Sequence, residues 1–182
     1  MSGLSASLSN GWRQQVWFGL LVVASVAFSL IMACATPFAA FAILAAMSMN
    51  ATQGRLVIVV IWAVNQLVGY LLLHYPQTAD SFIWGGVMLV AALVTHEVVR
   101  RLLDRNLPLN KAAYFSAAFL VAFTVNQTLL LLAALTPLSG LSDFTLAIVG
   151  EMLLINLFAV VSLFAINRLL AVSSPAAVSK AS

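Results

Sequence analysis

Residues 16–49 read VWFGL LVVASVAFSL IMACATPFAA FAILAAMSM, an apolar run without one charged side chain. As a single helix it would extend ~51 Å at ~1.5 Å per residue, well beyond the ~30 Å of a bilayer's hydrocarbon. A break at Ala35-Thr36-Pro37 resolves the excess, because proline has no amide donor and disfavours helical geometry in the residue before it. The run therefore reads as two helices, 15–34 and 37–53, joined by a tight turn.

Working outward from that hairpin, four more apolar segments follow at 56–75, 81–100, 112–136 and 144–170, with short connections at 77–80, 101–111 and 138–143. The whole chain of 182 residues is 63% hydrophobic and 7% charged, against roughly 25% charged in soluble domains. The fold class is all-α, a polytopic transmembrane bundle of about six spans. Residues 1–14 form an N-terminal segment, 15–170 a single membrane domain, and 171–182 a small, polar, disordered tail.

Charge sets the orientation, since cytoplasmic loops carry the Lys/Arg excess. With six spans, Arg13, Arg55, Arg100, Arg101, Arg105, Lys111, Arg168 and Lys180 fall on one side, and the opposite loops hold Asp80 and Asp143 with no base. Both ends are then cytoplasmic, and the location is a cell membrane, the inner one in a Gram-negative cell. The net charge of +3 is a topology signal spread through short loops and gives no reason to expect a nucleic-acid partner. A competing reading of the N-terminus, Arg13 followed by an apolar core and Ala33-Cys34-Ala35, imitates a signal peptide, but the core is longer than the ~7–15 residues usual for one and the chain stays apolar beyond it. With one cysteine, Cys34, no intrachain disulfide forms, and no metal-ligand spacing or cofactor motif is present.

Polar groups within the spans are the functional candidates. Val64-Asn65-Gln66 precedes Pro76, and Val125-Asn126-Gln127 precedes Pro137 at the same spacing. Both spans run outward, which puts Asn65, Gln66, Asn126 and Gln127 at one depth near the bilayer midplane. Amides in hydrocarbon need partners: they either join helices or line a polar cavity of the kind transporters place near the midplane. Glu151 lies about two turns inside the sixth span, with Asn156 deeper. An ionisable group there is either a functional residue or a carboxyl bonded to an amide such as Asn126 or Asn65. His74, Tyr75 and Asp80 gather with Asp143 and Trp84 at the outer mouth, Tyr75 and Trp84 also fitting a role as interfacial anchors.

His96-Glu97 resembles a catalytic pair, but adjacent helical residues do not face each other, and pairing of Glu97 with Arg101 four residues on is the expected use. An enzyme would need a nucleophile with a base or a metal triad, which only Cys34 with His74 or Glu151 could supply, so no enzymatic activity is expected. Ser25 and Ser29, and Ala35, Ala39, Ala42 and Ala46, present small residues one turn apart, suited either to the hairpin itself or to docking another membrane subunit.

In length, six helices, internal termini and three outer loops, the chain resembles the substrate-binding S components of energy-coupling-factor vitamin transporters. That family often carries an Ala-xxx-Ala docking signature on its first helix. Here the spacing is Ala42 and Ala46, on the second. The resemblance implies capture of a small solute of the vitamin or micronutrient class, with Asn65, Gln66, Asn126, Gln127 and Glu151 in the cavity and His74, Tyr75 and Asp80 at its lid. It also implies a membrane coupling subunit that uses ATP, since no phosphate-binding GxxxxGK[ST] loop occurs in this chain. The competing expectation is a small membrane-embedded assembly subunit with no solute of its own.

Overall fold

The computed structural model describes residues 2–32, 36–105, 108, 110–138 and 140–172, with side chains between residues 12 and 169. Among these residues the regular structure is all helical: α1 (Ser2–Met32), α2 (Phe38–Ser48), α3 (Ala51–Leu71), α4 (Ala79–Leu103), α5 (Lys111–Ala134) and α6 (Leu146–Val172), with one 3-10 turn at Leu141–Asp143. Local chemistry sets the boundaries. Asn50 caps α3 by accepting from the Gln53 amide at 2.9 Å, and Asn110 caps α5 by accepting from that of Ala113 at 2.8 Å. Thr78 does the same for α4 through Ser81. At the end of α3 the Leu72 and Leu73 amides both reach the Val68 carbonyl, and His74 takes a left-handed conformation with φ 55°. The Tyr75 ring then folds onto Gly69, where a side chain would collide with it.

Two expected boundaries move. The second and third helices, read at 37–53 and 56–75, occur at Phe38–Ser48 and Ala51–Leu71. Asn50 caps the third helix, which therefore starts five residues earlier than read and cuts the second short; at its other end the Leu72 and Leu73 amides turn back onto the Val68 carbonyl and stop it at Leu71. The N-terminal segment is also helical from Ser2. Among the described residues five helices are therefore long and apolar enough to cross a membrane, while α2, with 11 residues, extends ~17 Å, about half the hydrocarbon thickness.

The up-and-down order survives. Trp17 on α1 donates to Ser48 at the end of α2 at 2.8 Å, Gln14 donates to Gln53 at the start of α3, and Ser29 meets Asn65 further along both helices. All seven described bases accordingly lie at one end of the bundle, the basic end, and Asp80 and Asp143 lie at the far end.

The short helix is the centre of the molecule. Every residue from Phe38 to Ala46 is buried, and α2 packs against α3, α4, α5 and α6, with Phe41 edge-on to Phe28 of α1 at 6.2 Å. In a bilayer, lipid tails are as apolar as leucine, so helices associate by close packing and not by escape from solvent. Ala40, Ala42 and Ala45 have no exposed surface and let four neighbours approach one axis. Ser25 and Ser29 are buried as well. The small-residue faces of α1 and α2, Ala42 and Ala46 included, are thus enclosed within the chain. The apolar core extends over the level of α2, from Trp17 and Val57 at the basic end to Ile61, Ala122 and Ala159.

Candidate functional site

A helix that begins inside the bundle must satisfy its first amides there, because an unmade backbone hydrogen bond in hydrocarbon costs several kcal/mol. Pro37 has no amide, and the Phe38 amide folds back to the Thr36 carbonyl at 2.8 Å. The Ala40 amide donates to Oδ1 of Asn156 on α6 at 3.0 Å, and Asn156 Nδ2 donates to the Met152 carbonyl at 2.9 Å. Beside it, Asn65 Nδ2 donates to Thr36 Oγ1 at 2.6 Å and to Ser29 Oγ at 2.9 Å. Gln66 Nε2 reaches Asn65 Oδ1 at 3.4 Å. The buried polar residues of α1, α3 and α6 therefore hold the start of α2 at this depth.

Asn65 stands six residues before the last residue of α3, so this layer lies ~9 Å below that helix's far end, above the midplane expected for it. Asn126 stands eight residues before the end of α5, a similar depth. There the likeness ends. Asn65 is 4% exposed and fully engaged; Asn126 is 6% exposed and makes no hydrogen bond among the described residues. Gln127, half-buried, makes none either. Gln66 lies in a close α3–α4 contact: a side chain at Gly85 would meet its Oε1 at 2.6 Å, and Trp62 Nε1 donates to the Gly85 carbonyl at 2.7 Å.

The other expected site residues are dispersed. Glu151 is exposed on α6, on the outer surface of the bundle, and bonds neither Asn126 nor Asn65. His74 and Asp80 are exposed at the far end, and Tyr75 packs edge-on to Tyr70 at 6.2 Å. Tyr70 in turn bonds Ser81 at 2.9 Å, closing the α3–α4 corner. Trp84, expected at the interface, donates to the Leu138 carbonyl at 3.4 Å and lies against Gly140. Cys34 and Ala35 lie outside the described residues. No three His, Cys, Asp or Glu side chains among the described residues come together as a metal site.

At the basic end Glu97 takes a different partner from the expected Arg101. Its Oε1 accepts from Arg55 Nε of α3 at 2.7 Å, because α3 and α4 adjoin along that face and bring the two chains together across the helix pair. Arg100 donates to the Met49 carbonyl at 2.8 Å, closing the last turn of α2. His96 is wholly buried, its Nδ1 3.3 Å from Glu97 Oε1. Its Nε2, without a partner among the described residues, abuts Gly54 so closely that a methyl group there would overlap it. The Gly54–His96 contact and the Asn156 cap went unseen in sequence: the only signals were a glycine in the first turn of α3 and an asparagine in an otherwise apolar α6.

With this geometry described, comparison of the chain with protein-family models, curated proteins and solved structures finds no match.

Proposed function

We propose that this membrane protein binds a small polar solute, entering from the far end, in the layer where α2 begins. The observation that carries the reading is Asn126. The Asn126 side chain is 6% exposed and makes no hydrogen bond among the described residues, whereas its counterpart Asn65, in the same triplet, is engaged by Thr36 and Ser29; the Asn126 amide is thus free to bond a ligand. A solute with one donor and one acceptor would satisfy the Asn126 amide, with Gln127 beside it. By the Lys/Arg rule the far end is the outside of the cell, so the protein would capture its solute there, as the S components it resembles do. A coupling subunit would have to dock elsewhere than on Ala42 and Ala46.

The test is mass spectrometry of small molecules retained by the protein purified in mild detergent, compared with Asn126→Ala. The expected result is a stoichiometric solute present in the parent and absent from the variant, which keeps its helical circular dichroism and unfolds at the temperature of the solute-stripped parent. An empty parent protein would overturn the reading.

Glu151 favours a second reading, an assembly subunit. It shares an outward face of α6 with Leu154, Phe158 and Val161, all exposed, and a carboxylate within a span is costly unless paired. A partner helix presenting a donor at that depth would relieve it. The expected result on this reading is a larger complex in native membranes that Glu151→Leu dissolves, measured by native electrophoresis.

A further inference from the structure

Away from the amide layer, at the basic end, α1, α2, α5 and α6 surround a cleft. One part, about 510 Å³, is lined by Met47, Tyr114, Phe115 and Phe164 below, with Lys111 and Arg168 at its rim. An adjoining part, about 290 Å³, shares Met47, Phe164 and Arg168 and adds Arg13. Arg168 lines both parts, with Lys111 in one and Arg13 in the other, so cations from three different helices line adjoining clefts that include no carboxylate. None of the three is ion-paired among the described residues: Glu97, the acid that does pair at this end, is taken by Arg55. The Arg168 guanidinium lies over the Phe164 ring, 5.1 Å from its centroid, a contact that orients it without occupying its N–H groups. The floor is apolar, and the Tyr114 hydroxyl is already engaged by the Leu102 and Arg105 carbonyls.

We propose that this cleft binds one anionic phospholipid from the cytoplasmic leaflet, its phosphate between Arg168, Lys111 and Arg13 and the start of its acyl chains against Met47, Phe115 and Phe164. Charge and polarity select the occupant. Lys111 and Arg168 stand at the basic ends of α5 and α6, and Phe115 and Phe164 lie four residues further in along the same helices, a division that fits a lipid and that a free phosphate would not use. Basic pockets between spans on the cytoplasmic side recognise headgroups in this way. The same residues scattered around the perimeter would serve as topology signals alone; their convergence on an aromatic-floored cleft is what indicates a ligand.

The experiment reconstitutes the full chain in nanodiscs of equimolar phosphatidylglycerol and phosphatidylcholine, transfers it to detergent, and counts retained lipids by native mass spectrometry. One phosphatidylglycerol is expected to persist over phosphatidylcholine. Arg168→Gln with Lys111→Gln is expected to lower its retention about 30-fold, about fivefold for each basic residue removed. Arg101→Gln with Arg105→Gln, equal in charge and at the same end, is expected to leave it unchanged. Added inorganic phosphate is expected not to displace the lipid. Equal loss in the two double variants would show that net charge acts without a site, and displacement by phosphate would show a free-anion site; either overturns the proposal, as does equal retention of phosphatidylcholine. If the Arg168/Lys111 double variant fails to fold by circular dichroism, Lys111→Gln alone decides, with about a fivefold loss expected.

Discussion

Asn65 and Asn126 occupy corresponding places in a repeated triplet and are put to different uses, which makes truncation informative. Asn156→Ala leaves the Ala40 amide unsatisfied and is expected to destabilise by ~1–3 kcal/mol. Asn65→Ala removes the two side-chain bonds it donates and the longer one it accepts from Gln66, of a kind worth ~0.6 kcal/mol each on average in membrane proteins. In solute-stripped protein Asn126→Ala removes an amide that bonds nothing among the described residues and is expected to be neutral or slightly stabilising, the comparison for all three variants being made in that state. Thermal unfolding in detergent gives the order directly, and a loss at Asn126 as large as that at Asn156 would contradict the unpartnered reading. Gly54 offers a change of sign. Gly54→Ala gains up to ~1 kcal/mol in helix propensity but drives a methyl into His96, so it is expected to destabilise the parent and to stabilise a His96→Ala background. The sequence made these amides visible as buried polar groups at matched depth. It could not say which of them were engaged, because the partners of Asn65 and Asn156 are defined only once α2 is known to start below the far end.

At the scale of the element, α2 shows what periodicity cannot reveal. Its apolar composition continues that of α1, and only Pro37 and the Asn50 cap delimit it. Hydrophobicity therefore identified a helix here and overestimated its length. Enclosure on every side leaves it little tolerance for volume: Ala42→Leu is expected to cost ~1–3 kcal/mol through overpacking, whereas Val90→Leu, on the exposed face of α4, is expected to change stability little. Asn50→Ala, which removes the α3 cap, is expected to cost ~1 kcal/mol. Denaturant titrations in detergent compare all three. The pairing of Glu97 with Arg55 makes a related point, since an i, i+4 rule ranks partners on one helix and cannot see a neighbouring helix that supplies a better one.

For the whole molecule, the partition of charge was legible from sequence and the interior was not. Basic residues at one end and Asp80 and Asp143 at the other follow from counting passes, and the short α2 still counts as one. Orientation is testable in a Cys34→Ser background: Asp80→Cys and Asp143→Cys are expected to react with an impermeant maleimide in intact cells, and Arg105→Cys only after permeabilisation. Reaction at Arg105 from outside would invert the bundle. The central place of the shortest helix also constrains how the chain is made. A segment of this length makes a poor insertion signal by itself during synthesis at the translocon, and Asn156, the residue that receives its Ala40 amide, emerges from the ribosome last among its partners. The seat of α2 is therefore completed only when α6 arrives. Chains interrupted before α6 are expected to hold that hairpin loosely and to be open to quality-control proteolysis, so that release from surveillance coincides with the closing of the bundle around its own second helix.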